Sequence, residues 1–317
     1  MFASLSKKMK NLVSKILTGS TDMGEYVTLT TNNIEEHVYL KLNDHMVDVS
    51  QTQWVLSLEP LVFGIWIKEK KIKIEINTKK KCLLVFRSSK LARKNVAIAE
   101  VELAHKIDED TGSLFLLELK HCRLYHFNRL KLHLLFTAYY KKKTLPLKKF
   151  RSFVTAYSYP RKVTIISFKS ADHYNIFPMD LVGEIKTSKR MVFGLRHSNR
   201  TLSKIIETKK IIAIETPFTG KDIIYKLGNH HSATPPPPRE LPFTVFESNK
   251  YQFYVPEWAD SYKEIQILKT INLGSHMLLW GEVTNEVILK PANSSLYHIH
   301  YLHYLHQKKR GREYRLV

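Results

Sequence analysis

Arg196 and Arg200 bracket Ser198 and Asn199, with Thr201 next, just after the apolar run Met191-Val-Phe-Gly-Leu195. Leu202, Ile205 and Ile206 follow at helical spacing, so Ser198 or Asn199 is placed to cap a short helix over 199–207. A helix start offers unpaired backbone N–H groups and the positive end of a dipole, and a guanidinium pairs bidentately with phosphate. These residues suit a phosphate site; they equally suit an ordinary capped helix with solvated arginines. His276 stands alone on a strand-like run, as a donor to a ligand or as a satisfied structural residue. Farther on, His298 and His300 share a strand face and His303 and His306 suit a helical turn. No further ligand spacing closes a metal site there, and Tyr297, Tyr301 and Tyr304 fit an aromatic core edge. The dinucleotide-binding, P-loop, nucleophile-elbow and zinc-protease signatures are missing from the sequence.

The elements that must position these groups are mostly strands. His37–Leu42 and Lys71–Ile76 alternate apolar and polar residues, the mark of half-buried antiparallel strands. Glu59-Pro60 opens a third, Leu61–Ile67, and Cys82–Phe86, Leu114–Leu119 and Arg123–Phe127 read as three more. Beyond a basic connector at Tyr139–Pro146, strands are expected at 162–168, 191–195 and 210–215. Thr234-Pro-Pro-Pro-Pro-Arg239 is a stiff loop, a spacer or a proline-motif ligand. Leu5, Met9, Leu12, Val13, Ile16 and Leu17, with lysines on the other faces, describe an amphipathic helix. It packs on the protein or lies on an anionic membrane surface.

An internal repeat is visible. Leu61-Val-Phe-Gly-Ile-Trp-Ile67 is similar to Met191-Val-Phe-Gly-Leu-Arg-His197. Val47–Ser50 and Tyr174–Phe177 precede the two copies, and Cys82–Phe86 and Ile211–Glu215 follow them. The expected fold class is mostly β, as antiparallel split β-barrels with short helices, two in tandem if the repeat is real. The expected divisions are 1–20 for the helix, 21–150 for a β-rich domain and 151–317 for a second barrel.

A length of 317 residues with 44% apolar content is enough for two cores. Cys82 and Cys122 fit no disulfide framework or zinc spacing, which suits a reducing cytoplasm, and no apolar run is long enough to span a bilayer. The net charge of +21 draws anions to the surface. Lys68, Lys70, Lys71, Lys73 and Lys79 to Lys81, near Trp66, suit a nucleic-acid backbone or a solvated strand edge.

From Tyr159 onward the chain resembles the flavin-reductase-like, FMN-binding split-barrel family in three segments, in the family's order. They are Val163–Ser167 with Tyr174–Val182, then Val192–Ile205, then Gly274-Ser-His-Met-Leu-Leu-Trp-Gly-Glu-Val283. Lys204 stands where the family usually has Asn, and Ser188-Lys-Arg190 replaces its Pro-Pro. The resemblance implies bound FMN, with NAD(P)H as transient cosubstrate and hydride transfer between them. It implies flavin contacts from Asn175, Ile176, Phe177, Pro178, Met179 and Asp180. It places the flavin phosphate at Arg196, Ser198, Asn199, Arg200 and Thr201, and His276 beside the ring. No protein residue need act as acid or base. The family pairs two barrels around the flavin, as a homodimer or, here, an intrachain pseudo-dimer. The alternative is a non-enzymatic barrel that presents its basic surface to an anionic partner.

Overall fold

The computed structural model describes residues 15, 26–31, 33–43, 45–77, 82–92, 94–137, 146–231, 233–291, 295–312 and 314–316. The helix expected over 1–20 lies outside these residues apart from Lys15, and so does most of the connector at 139–146.

After β1 (Tyr26–Thr30) come β2 (His37–Leu42), β3 (His45–Asp48), β4 (Gln53–Leu58), β5 (Leu61–Ile67), helix α1 (Lys70–Asn77), β6 (Cys82–Arg87), β7 (Asn95–Glu109) and β8 (Gly112–Leu124). Helices α2 (Arg129–Leu135) and α3 (Leu147–Ala156) lead to β9 (Arg161–Lys162), β10 (Thr164–Lys169), β11 (Tyr174–Met179), β12 (Val182–Ile185), β13 (Arg190–Arg196), α4 (Leu202–Thr208) and β14 (Lys210–Glu215). Then follow α5 (Lys221–Leu227), the ribbon β15 (Val245–Glu247) with β16 (Tyr254–Pro256), β17 (Ser261–Asn272), β18 (His276–Ile288), β19 (Leu296–His300), α6 (Tyr301–Lys308) and β20 (Arg315–Leu316). Mostly antiparallel β with short helices is the observed class.

The first seven-stranded sheet runs β3-β2-β6-β7-β8-β5-β4 and the second runs β11-β10-β14-β17-β18-β13-β12. Numbered within each half, these are the same order, with a helix between the fourth and fifth strands of both. The segments matched in the sequence, Leu61–Ile67 with Met191–His197 and their flanks, occupy equivalent strands.

The solid apolar runs are explained by burial on both faces. In β5, Leu61, Phe63, Ile65 and Ile67 point into their own sheet's core, whereas Val62 and Trp66 point at the other half. In β13, Met191, Phe193 and Leu195 face inward, and Val192 faces the first half. This seam also holds Leu56, Leu114, Leu116, Leu278 and Trp280, with the Trp66 and Trp280 rings stacked at 6.3 Å. Each fully buried side chain of this kind contributes roughly 1.5–3 kcal/mol, so this seam ties the two cores firmly together.

Close approach explains two glycines. A Cβ on Gly194 would sit 1.9 Å from the Leu56 carbonyl oxygen of β4. Gly274, at φ +91°, turns β17 into β18 and leaves 2.5 Å between a would-be Cβ and the Glu59 carbonyl oxygen. There Ser275 N–H donates to Glu59 at 2.7 Å, and the Glu59 N–H donates to the Ser275 hydroxyl at 3.0 Å, pinning the turn of one half to that of the other.

Two expectations are corrected. Lys71–Ile76 is not a strand but lies in α1, because Ile72 and Ile76, four apart, bury one helical face as well as an alternating one. Leu114–Leu119 and Arg123–Phe127 are not two strands: Gly112–Leu124 is a single strand paired along β7. A third sheet, β20-β1-β19-β9, joins the first described strand to the last.

Candidate functional site

A cavity of about 480 Å³ opens where the ends of β11, β13 and β18 meet β1 and β19. That volume lies within the range of cavities that hold small organic cofactors. Its walls are largely apolar, with Leu58, Val163, Met179, Leu195 and Leu296 among them. A second cavity of about 400 Å³ adjoins it, lined by Glu59, Lys149, Ser152 and His197. Leu58, Arg196, Ser198 and His276 line both, so the two form one cleft with a wide apolar chamber and a more polar annex.

Arg196 and Ser198 are exposed at this junction, and neither side chain makes a hydrogen bond or ion pair to another described residue. They are free to donate, and an anion placed there displaces no partner among the described residues. His276 lies opposite Arg196 in the β13–β18 register and is 2% exposed. Its Nδ1 contacts the Ser275 hydroxyl at 2.7 Å. Burial, then the charges of Arg196 and His197, push its pKa down to about 4, so the ring is neutral at physiological pH.

The rest of the helix start is organised differently from the sequence expectation. Thr201, not Ser198 or Asn199, caps α4, and its hydroxyl makes no cap bond. That hydroxyl instead accepts from Asn175 Nδ2 at 2.8 Å and meets His173 Nε2 at 3.2 Å. Asn199 spends its Oδ1 on the Thr201 N–H at 2.9 Å and its Nδ2 on His231 Nδ1 at 3.0 Å. Arg200 is exposed and donates to Thr234 Oγ1 at 2.8 Å, which ties the proline-rich loop to the surface. Of the five residues expected at the phosphate, only Arg196 and Ser198 line the cleft; Asn199, Arg200 and Thr201 hold neighbouring segments.

The extended segment divides in the same way. Pro178, Met179 and Asp180 reach the cavity. Asn175, Ile176 and Phe177 are buried behind the turn at 228–231: His230 Nδ1 meets the Ile176 carbonyl at 2.9 Å, and the His231 ring lies 4.8 Å from that of Phe177. His231 Nε2–H donates to the Pro178 carbonyl at 2.8 Å while its Nδ1 accepts from Asn199. Both contacts together require a neutral imidazole, in keeping with a pKa lowered by burial.

The strand alternation gave no sign of the wall's most polar feature. Asp180 Oδ2 accepts from Tyr157 OH at 3.1 Å and from His298 Nδ1 at 2.9 Å, and His298 Nε2 meets Tyr225 OH at 3.1 Å. All four residues line the cavity. Burial raises the Asp180 pKa, but the donors His298 and Tyr157 outweigh it and hold the carboxyl below its usual range. Burial, reinforced by Asp180, pushes Tyr225 up to about 12, so its phenol is protonated at neutral pH. A carboxylate orients a histidine, which in turn holds a phenolic proton at the cavity surface. This arrangement can move a proton at Tyr225 Oη. Four chain segments supply it, and among them only Asp180 and His298 stood out in the sequence. His298 serves a carboxylate here, while His303 turns to buried Glu36 at 3.3 Å.

No family model matches the sequence, and no curated protein matches it. Solved structures similar to the chain include an FMN-binding protein from Thermus thermophilus with bound 1-cyclohex-2-enone, at 19% identity and TM-score 0.36 over 41% of this chain and 71% of its own. The flavin reductase component of a bacterial two-component tryptophan halogenase is similar at 10% identity and TM-score 0.42, over 52% of this chain and 94% of its own. A flavoredoxin from Methanosarcina acetivorans is similar at 14% identity and TM-score 0.37, over 42% and 75%.

Proposed function

We propose that the cleft binds FMN and that the protein is a flavin-dependent oxidoreductase using reduced nicotinamide. The observation that carries this reading is the pair of unengaged donors, Arg196 and Ser198, where an apolar chamber opens into a polar annex. A flavin has both characters, an apolar ring system and an anionic tail, and the residues present fit it: Arg196 and Ser198 would hold the phosphate, and Met179, Leu195 and Leu58 the ring. The orphaned Oδ1 of buried Asn175 lies outside the cavity lining and takes no part.

When bound, the flavin supplies hydride chemistry. The chain's own residues orient it, exclude water and manage protons. The Pro178–Leu181 segment, its Pro178 carbonyl fixed by His231, forms one wall. Neutral His276 keeps a second positive charge away from the ring side of Arg196. Asp180 and His298 hold the Tyr225 proton at the surface.

Purification and spectroscopy test this directly. The chain should carry or take up FMN with visible flavin absorbance and oxidise NADH or NADPH. A colourless protein that refuses FMN but is retained on nucleic acid in a salt-dependent way would move the assignment to the basic surface.

A further inference from the structure

A cavity of about 740 Å³ lies on another side of the seam between the two halves and contains a buried arginine that forms an ion pair with no carboxylate among the described residues. Arg161 is 4% exposed. Its Nε donates to the Ala156 carbonyl at 2.9 Å and its Nη1 to Gln53 Oε1 at 2.8 Å. Among the described residues Nη2 is buried without a hydrogen-bond partner, and so is Nε2 of Gln53, itself 2% exposed. Both residues line the cavity.

Four of the five lining carboxylates are committed elsewhere. Lys162 holds Glu215, Lys263 holds Glu184 at 2.5 Å and Glu286 at 3.3 Å, and His298 with Tyr157 holds Asp180. Neither Asp180 nor Asp260 makes a hydrogen bond or ion pair with the guanidinium. Burying a charge without a counterion is costly, and two adjacent unused donors recognise an oxyanion. Lys186, exposed on the lining, adds a further positive charge, and Trp54, Tyr159 and Tyr297 add aromatic surface.

We propose that this cavity binds a small organic anion, whose carboxylate or phosphate accepts from Arg161 Nη2 and Gln53 Nε2 while its apolar body lies against Trp54 and Tyr297. The site is independent of the flavin reading. Burial lowers the Arg161 pKa to about 10, partly offset by Tyr159, Tyr157 and Asp180, which leaves the group charged at neutral pH.

Calorimetric titration of the full chain with benzoate and with inorganic phosphate tests the proposal. Benzoate binding alone identifies a carboxylate ligand, phosphate binding alone a phosphate ligand, and either supports the site. Gln53→Glu keeps the acceptor for Nη1 and supplies the missing anion from the protein itself. It should raise the melting temperature and weaken the probe by at least about tenfold, the cost of losing a charge-assisted hydrogen bond. Gln53→Met, which lacks the donor, should weaken it similarly and serves if Gln53→Glu does not fold. FMN affinity should be unchanged in both. Failure of both probes to bind wild type at millimolar concentration, or equal binding to the folded variants, would overturn the proposal and leave the flavin site untouched.

Discussion

Replacing Arg196 with alanine isolates the phosphate contact. The side chain is exposed and makes no hydrogen bond or ion pair among the described residues, so its removal strands no buried group. Surface changes of that kind alter stability by no more than about 0.5 kcal/mol. A hydrogen bond to a charged group contributes about 1.5–3 kcal/mol. FMN affinity should therefore fall by roughly 10- to 150-fold at low salt. Riboflavin has the same ring but no phosphate, and its affinity should change by less than about twofold. Arg196→Lys should recover only part of the loss, because an ammonium cannot make the bidentate contact. Flavin fluorescence quenching titrations at two salt concentrations read all of this. Equal losses for FMN and riboflavin, or none for either, would refute the placement of the phosphate.

Other substitutions test the frame around the site. Gly194→Ala forces a methyl group against the Leu56 carbonyl and should cost about 1–3 kcal/mol in urea unfolding, with FMN affinity falling as well because β13 shifts. Glu36 is buried with His303, Gln307 and Arg312; burial raises its pKa, but His303 and the other donors bring it down to about 2. Its stabilisation is thus complete above an unfolded value of about 4.5 and is lost as pH falls toward 2. Glu36→Gln should cost about 3–5 kcal/mol at pH 7 and flatten that acid limb in pH-dependent unfolding. Asp180→Asn should likewise cost about 1.5–3 kcal/mol at neutral pH, shrinking in acid as wild-type Asp180 itself protonates, when thermal unfolding is followed across pH. His276 is pushed down partly by Arg196, so Arg196→Ala should raise its pKa in NMR titration without any flavin present.

Much of the scaffold was legible because strand burial has a two-residue period. Leu61–Ile67 and Met191–Leu195 read as solid apolar runs, and that is what a strand covered on both faces looks like. The same logic failed at Lys71–Ile76, where residues four apart satisfy both periods and no local signal chooses the helix. The single strand β8 reads as two because Lys120 and His121 interrupt its apolar run after Leu119. At the cleft, Arg196, Ser198, His276 and Pro178 to Asp180 were legible from local motif, and the structure brings them together. Asn175, Asn199 and Thr201 have the right chemistry but spend it on His173, His230, His231 and one another, and apart from the Asn199–Thr201 contact these partners lie 26 to 55 residues away in sequence. Tyr26, Tyr157 and Tyr225 became part of the wall only through long-range packing, which spacing along the chain does not encode.

The sheet that joins β1 to β19 also sets an order of assembly. Tyr26 and Thr28 on β1 and Leu296 and His298 on β19 form one wall of the cleft, made by two paired strands that lie far apart in sequence. During synthesis β1 has to wait for its β19 partner until the strands of both seven-stranded sheets have been made. A nascent chain halted before β19 would hold the strands of both seven-stranded sheets but lack the wall that Leu296 and His298 give the chamber.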